Sequence, residues 1–302
     1  MSRPKVTLVT SSDLPTLSDD FSGLLDAISR RGVEVGTAVW DDPGVDWEGA
    51  GLCVILTVSD FADRPEEFFE WAARVPRLLN DPGVLRWNSD KHYLQDLALS
   101  GVPTIDTTWL EPGAGLSKHQ VHTRMPARGD FVVKSSLSSN RHTTGRYTST
   151  DARSRGAAIQ HALDILGTGR AALVQRYLTA VGDRGEISLV YFNGLFSHAV
   201  EKEGILQTEV DPGSAPRSRA YPHEVSPEER HLGEDVRNAF HACIRKVTGR
   251  DHLLIYARVD IIHTADGLKV LEVNLMDVTL YLAAVPGAVD NFADAIAVRA
   301  FW

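Results

Sequence analysis

Leu253–Leu282 reads LLIYARVDIIHTADGLKVLEVNLMDVTLYL. Two β-rich runs, IYARVDII and LKVLEVN, flank a turn signal containing Asp266 and Gly267, which predicts an antiparallel hairpin. Closed by a three-residue loop, Ala265 to Gly267, with Gly267 in the left-handed position, such a hairpin sets Asp260 opposite Glu272 and Arg258 opposite Asn274. Side chains two apart share a face, so all four project together. Two facing carboxylates repel, and burying them costs on the order of several kcal/mol unless something positive lies between them. Acid, acid and amide form an oxygen-only ligand set, which suits Mg²⁺ far better than zinc. An exposed strand face with ordinary charges is the plain alternative, and a one-residue slip of register would separate the set.

The rest of the chain narrows the choice. Its 302 residues can bury a large core and divide into two or three domains. Hydrophobic content of 43% and charged content of 24% are those of a soluble globular protein. A net charge of −9 argues against a nucleic-acid groove or an anionic membrane surface as the main partner. No apolar run approaches the roughly 20 residues that a membrane span needs. The opening MSRPKVTLVTSSD has too short an apolar run for a signal peptide. Cys53 and Cys243 have no metal or redox spacing and read as core thiols of a cytoplasmic protein. Nothing in the sequence decides between a monomer and a homo-oligomer.

The N-terminal part alternates in the βαβ manner of a small parallel sheet. KVTLVT, VEVGTAVW and LCVILTV read as strands and PEEFFEWAARV as a helix. Ser18 is expected to cap a helix carrying Phe21, Leu24, Leu25 and Ile28 and ended by Gly32. Asn88–Gly101 is expected to be one capped amphipathic helix with Leu94, Leu97 and Ala98 inward. No dinucleotide fingerprint follows the first strand, and GTGRAA at Gly167–Ala172 mimics one in the wrong context, after a helix and before a strand. Further on, RSRGAAIQHALDIL and SPEERHLGEDVRNAFHACIRKV read as helices, AALVQRYL as a strand, and Asn193-Gly194 as a tight hairpin turn. Asp211–Arg219 has a disordered composition.

Candidate chemistry gathers at several points. FVVK ends a strand on Lys134, followed by the polar run SSLSSNRHTTGRY, whose Ser138, Ser139, Asn140 and Arg141 offer donors to an anion. A solvated surface loop is the alternative. Lys91, expected in the first turn of its helix, is awkward beside the positive dipole end unless a phosphate lies near, although Asp90 could offset it. Val174–Leu178 reads as a strand edge whose main chain could bind adenine before a linker-like break from Thr179 to Asp183, and Glu186 could take ribose hydroxyls.

Lysine, lysine with a polar loop, edge strand, acid and then D…E-x-N is an order that resembles the ATP-grasp superfamily, over roughly Asn88 to Leu282. The resemblance implies a fold with an N-terminal α/β domain over 1–112, a small lid over 113–177 and a C-terminal α+β domain over 178–302. It implies that Lys91, Lys134 and Ser138–Arg141 hold the phosphates of ATP. Gln175, Arg176, Tyr177 and Leu178 would read adenine, with Asp183 and the ribose acid Glu186 completing the nucleotide site. Asp260, Glu272 and Asn274 would hold Mg²⁺, and YARVD resembles a strand of D-alanine–D-alanine ligases whose arginine, here Arg258, stabilises phosphoryl and tetrahedral oxygens. VQRYLTAV and EVN are also similar to bacterial glutathione synthetase.

WNSDKHYLQDLALSGVPT and LFSHAVEK resemble a branch of compact single-chain ATP-grasp ligases that includes D-cycloserine synthetase. Many members of that branch have Arg-Ser-x-Trp-Asp-Tyr where this chain has Leu56–Phe61, Gln-Pro at Gln175-Arg176 and Glu-Pro at Asp277-Val278. The phosphate loop is serine-rich rather than glycine-rich, and the proline that often follows E-x-N is replaced by LMDVTLYL. The implied reaction is phosphorylation of a small amino-acid-like carboxylate by ATP, followed by attack of nitrogen. The specific expectation is cyclisation of O-ureido-D-serine to D-cycloserine. An intermolecular amino-acid ligase and a nucleotide-binding protein without turnover are the rivals. Lys202 and Tyr281 are substrate candidates by position. His198 joins them, although a packed strand histidine is its commoner role.

Overall fold

A computed structural model describes residues 3–137, 144–178, 185–202 and 219–302. Ser138, Ser139, Asn140, Arg141, Asp183 and nearly all of the Asp211–Arg219 stretch lie outside the described residues.

The first sheet has the order β2-β1-β3-β4 and is wholly parallel, with β1 at Lys5–Thr10, β2 at Glu34–Val39, β3 at Leu52–Ile55 and β4 at Leu78–Leu79. Helices α1 (Leu24–Arg30) and α2 (Pro65–Arg74) belong to this region. The helix expected from Ser18 is divided. Asp19–Phe21 forms a short 3₁₀ turn, Ser18 makes no side-chain cap, and α1 starts only after Gly23, whose φ of 79° interrupts helical winding. Leu25 accordingly stays exposed.

The single helix expected over Asn88–Gly101 is also two, α3 (Pro82–Ser89) and α4 (Tyr93–Leu99). Between them Asp90 is extended, and the Lys91 main-chain N–H donates to the Ser136 carbonyl at 2.8 Å. Lys91 therefore sits in the break and not on a helix dipole. Tyr93, Leu94 and Leu97 turn inward, while Ala98 is exposed.

The middle sheet is antiparallel with the order β5-β8-β6-β7, formed by β5 (Thr107–Leu110), β6 (Asp130–Ser135), β7 (Thr144–Thr148) and β8 (Ala172–Arg176). Helices α5 (Lys118–Arg124) and α6 (Ala152–Gly167) cover one face, closing a core of Leu110, Val121, Phe131, Val133, Ala162 and Val174. β8 lies between β5 and β6, so the expectation of an edge strand at Val174–Leu178 is corrected: the main-chain groups of Gln175 are spent within the sheet, and the chain leaves it only after Arg176.

The third sheet is antiparallel in the order β11-β10-β9-β12-β13. Its strands are β9 (Glu186–Phe192), β10 (Leu195–Lys202), β11 (Ala220–Pro222), β12 (Tyr256–Thr264) and β13 (Gly267–Asn274). Asn193 and Gly194 have φ of 48° and 79°, the double left-handed conformation that closes β9 on β10. Helix α7 (Pro227–Thr248) begins with a Ser226–Glu229 capping box, and α8 (Ala288–Ala300) ends the chain's regular structure. α7 buries one face with Leu189, Tyr191, Val236 and Phe240. α8 joins Val190, Phe192 and Tyr256 to Val6, Leu8 and Val54, so the first and third sheets share a core.

The hairpin β12–β13 reaches the expected pairing by a different route. Its turn has two residues, Ala265 and Asp266, with Thr264 opposite Gly267. That register alone would bring Leu271 against Asp260. Leu271 is instead bulged out, after which Asp260 pairs with Glu272 and Arg258 with Asn274.

Candidate active site

Pairing across the third sheet lines up successive rungs on one face. His198, Val190, Arg258 and Asn274 form one rung, Val200, Ser188, Asp260 and Glu272 the next, and Lys202 with Glu186 a third. Strand alternation thus delivers residues 76 positions apart in sequence to one surface, from His198 to Asn274.

Asp260 is the centre of this face and is 1% exposed. Its Oδ1 accepts from Ser188 Oγ at 2.6 Å and from Arg258 Nε at 3.0 Å; its Oδ2 accepts from Arg258 Nη2 at 2.8 Å and from Asn274 Nδ2 at 3.2 Å. Lys202 Nζ lies 3.5 Å from Oδ1 and also pairs with Glu186. Burial pushes the Asp260 carboxyl up, but Arg258 and Lys202 overcome it and bring its pKa down to about 2. Glu272 pairs with Lys91 Nζ at 3.1 Å. Against the effect of burial, Lys91 and Lys134 hold that carboxyl below its ordinary value. Burial depresses the Lys134 ammonium, with Glu272 opposing and Lys91 reinforcing the shift. Four basic side chains therefore face three acidic ones in a chain whose net charge is −9. Such a locally cationic patch suits a polyanion.

A divalent cation finds a partial donor set on this face. Among the described residues no cluster of three or more His, Cys, Asp or Glu side chains could hold a metal. Asp260 and Glu272 supply two carboxylates, and Asn274, which gives its amide nitrogen to Asp260, has its amide oxygen left to offer. Two carboxylates and one amide fit a hard cation that draws its other ligands from phosphate oxygens.

Beside this face runs the segment Leu275–Tyr281. Arg258 Nη1 donates to the Thr279 carbonyl at 2.8 Å, and Tyr281 lies under both Arg258 and Lys202, at 5.6 and 5.7 Å from its ring centre. Leu280 and Tyr281 N–H groups donate to Asp20 Oδ2 at 2.8 and 3.0 Å. Asp277 and Tyr281 hold φ of 47° and 56°, left-handed values that favour glycine or short polar residues. Asp277 Oδ1 accepts from the Val58 N–H at 3.0 Å, and Val278 N–H donates to the Leu56 carbonyl at 3.3 Å. Two of the three segments that depart from the branch pattern thus touch each other. His198 Nε2 is 2.8 Å from the Leu280 carbonyl, Nδ1 is 3.0 Å from Ser197 Oγ, and burial lowers its pKa. It braces this segment through the Leu280 carbonyl.

The nucleotide candidates are placed unevenly. Gln175 is buried, its Nε2 donating to Thr107 Oγ1 at 2.8 Å, while Arg176 is exposed. Tyr177 lies under the Arg146 guanidinium, 3.6 Å from its ring centre, and Leu178 follows it out of the sheet. The third departure, at Gln175-Arg176, lies at the end of β8 in the middle sheet.

Sequence reasoning missed four residues here. Ser188 makes the shortest hydrogen bond to Asp260, and strand alternation from Glu186 could have found it. Asn88 is buried at the end of α3, donates to the Val273 carbonyl and accepts from Leu275 N–H, both at 2.8 Å. Asn80 likewise binds the Tyr256 and Leu275 carbonyls and Ile255 N–H. These two amides and Asp20 secure main chain, and no local motif announces them.

Comparison with known proteins agrees with this architecture. Residues 6–80 match the family model described as D-cycloserine synthetase DcsG, N-terminal domain. Cycloserine biosynthesis protein DcsG of Streptomyces lavendulae is 30% identical over 303 residues, covering 97% of this chain and 98% of its own. The crystal structure of D-cycloserine synthetase DcsG is similar with a TM-score of 0.82 at 29% identity, over 98% of this chain and 99% of that one. A RimK domain ATP-grasp protein from Sphaerobacter thermophilus has a TM-score of 0.62 at 18% identity, over 97% and 98% of the two chains, a likeness of fold. The chain has the fold of the ATP-grasp superfamily. Within that superfamily the chain belongs to the D-cycloserine synthetase family. Among the described residues, no helix is long and apolar enough to cross a membrane.

Proposed function

We propose that this enzyme phosphorylates the carboxylate of O-ureido-D-serine with ATP and closes it to D-cycloserine. The observation that carries the reading is the single sheet face on which Asp260, Glu272, Asn274 and Arg258 meet Lys91 and Lys202. The 30% identity to a cycloserine biosynthesis protein supports the choice of substrate.

In this reading Lys91 and Lys134 bind the phosphates of ATP, Glu186 takes the ribose hydroxyls, and the chain around Gln175–Leu178 receives the adenine, with Arg176 and Tyr177 as its outward part. Ser138–Arg141 and Asp183 complete the nucleotide site. Asp260, Glu272 and Asn274 hold Mg²⁺, which when bound neutralises charge on the phosphate oxygens. A substrate carboxylate oxygen attacks the γ-phosphorus and ADP leaves, giving an acyl phosphate. The ureido nitrogen bonded to oxygen then attacks the acyl carbon, phosphate departs and a five-membered ring closes; hydrolytic loss of the carbamoyl group leaves the product. Arg258 stabilises oxygens that gain charge in both steps, an effect that is usually the largest in such catalysis. Lys202 and Tyr281 line the substrate side. Nucleophile and electrophile share one molecule, so folding the substrate can provide effective molarities on the order of 10⁵ M or more. The two free, buried cysteines and the ATP requirement support a cytoplasmic setting.

The test supplies ATP, Mg²⁺ and O-ureido-D-serine alone and follows ADP and ring product by mass spectrometry. Equimolar ADP and cyclised product are expected. ADP formed only after a second amino acid is added would establish an intermolecular ligase instead.

A further inference from the structure

His92 adjoins Lys91 in the break between α3 and α4, and three side chains converge on it. Its Nδ1 lies 2.5 Å from Asp90 Oδ1, and its Nε2 lies 3.1 Å from Glu111 Oε1, just beyond β5. Its ring stacks on Trp109 of β5 at 4.3 Å and 24°. The other oxygen of Asp90 accepts from Ser136 Oγ at 3.2 Å, beside the Lys91 N–H to Ser136 carbonyl bond. Trp109 pairs with Leu173, and Leu173 with Lys134, so Trp109 and Lys134 share a rung and a face of the middle sheet, opposite the α5–α6 core. His92 is thus braced against the face of the middle sheet from which Lys134 projects, while its neighbour Lys91 reaches Glu272 on the third sheet.

We propose that His92 is a positioning residue whose imidazolium, bridging Asp90 and Glu111 and stacked on Trp109, fixes Lys91 relative to Lys134 so that both meet the same nucleotide phosphates. Charged imidazolium can donate to both carboxylates at once; neutral imidazole has one N–H and can donate to only one of them, leaving Asp90 with the His92 main-chain N–H and Ser136 Oγ when the ring N–H goes to Glu111. Burial lowers the His92 pKa, but Glu111 and Asp90 outweigh it and the net shift is upward. The brace is therefore complete below the ordinary histidine value and is lost as pH rises through the raised one. Besides Asp90 and Glu111, the charged groups connected to this brace are Lys91, Lys134 and Glu272. Lys134 is itself depressed, so a second loss from its own titration is expected at higher pH, and comparison of variants separates the two.

The inference rests on Lys91 and Lys134 being phosphate ligands, and the experiment tests that first. Calorimetry measures the Kd of a non-hydrolysable ATP analogue with Mg²⁺ for wild type and for Lys91→Ala and Lys134→Ala. Affinity unchanged in both lysine variants would overturn the nucleotide reading and this inference with it. With the lysines established, His92→Gln should bind the analogue about tenfold more weakly near pH 6, a difference of about 1.4 kcal/mol, and lose the first step of the wild-type pH dependence. KM for the carboxylate substrate should stay within about twofold, because the lost geometry concerns phosphates. Glu111→Gln, on an exposed carboxylate, should reproduce the effect in part, and His92→Arg should restore affinity near pH 6 while removing the first step. Affinity within twofold of wild type and an unaltered pH profile in His92→Gln and Glu111→Gln would refute the role of His92, with the lysine assignments left standing.

Discussion

The charged face of the third sheet and the adjoining Leu275–Tyr281 segment are held in opposite ways. On the face, side chains bind side chains: Asp260 gathers Ser188, Arg258, Asn274 and Lys202, and Glu272 gathers Lys91. Along the segment, carboxylates bind main chain, with Asp20 on the Leu280 and Tyr281 N–H groups and Asp277 on the Val58 N–H. The first arrangement makes a fixed electrostatic site, to which the proposed function assigns the phosphate chemistry. The second makes a wall whose shape depends on backbone torsions, and the proposed function sets the substrate against it. Substitutions on the two sides should therefore separate turnover from substrate selection.

The largest effect is expected at the centre of the face. Glu272→Gln keeps shape but removes the charged partner of Lys91 and, in the proposed reading, a Mg²⁺ ligand, and kcat should fall on the order of 10²–10³-fold, the scale of losing one fixed transition-state stabiliser. Circular dichroism should show a folded protein. Turnover unchanged at limiting Mg²⁺ would remove Glu272 from the site and collapse the distinction between the two regions.

That distinction also explains what could be read in advance. Asp260, Glu272, Asn274 and Arg258 were legible because strand period and pairing convert spacing directly into a shared face, even though a two-residue turn plus the Leu271 bulge replaced the three-residue loop. The two errors compensate: shortening the turn by one residue and inserting one in β13 preserve the far register. The interior position of β8 was not legible, since a five-residue strand reads the same at an edge or a centre. Nor was the break at Asp90, where a tertiary bond from Lys91 N–H to Ser136 overrides continuous helical spacing. Asn80, Asn88 and Asp20 act on main chain far away in sequence, and no residue pattern records such a bond.

A smaller effect sharpens the account of the face. Ser188→Ala removes the 2.6 Å hydrogen bond to Asp260 and should cost about 1.5–3 kcal/mol, the range for a bond to a charged group. The Asp260 pKa, now about 2, should rise because its charged form loses a donor. The sign follows: a depressed carboxyl contributes stability above its ordinary value of 3.8 and loses it as pH falls toward the folded value. Acid unfolding of the variant should therefore begin at higher pH than in wild type, followed by tryptophan fluorescence. Coincident acid transitions would mean that the serine hydroxyl contributes nothing to the charge state.

On the segment, Asp20→Ala strands two N–H groups and should raise KM for the carboxylate substrate several-fold while KM for ATP stays within about twofold. Equal changes in both constants would show that the wall is not separable from the nucleotide site.

The smallest effect concerns Asp277 and isolates one charge. Burial, with Asp60 adding repulsion, pushes its carboxyl up to about 7, although the Val58 N–H favours the ionised form. Asp60 gives no relief, because its own oxygens are taken by Trp40 Nε1 at 2.9 Å and Arg64 at 2.7 Å. A raised acid favours folding most when protonated, so its contribution is greatest below the ordinary value of 3.8 and is lost as pH rises toward 7. Asp277→Asn is a sound neutral comparison, because the amide retains an oxygen for the Val58 N–H and tolerates a φ of 47° as readily as aspartate does. Only the ionisation is removed. The variant should therefore melt about 1–2 °C above wild type at pH 8 and converge on it only below the ordinary value of 3.8, where the aspartate is neutral in the folded and the unfolded chain alike. A gain of equal size at both ends of this range would point to packing rather than charge. A loss at pH 8 would mean that the ionised carboxylate has a cationic partner in the wall, which would make the segment an electrostatic site like the face beside it.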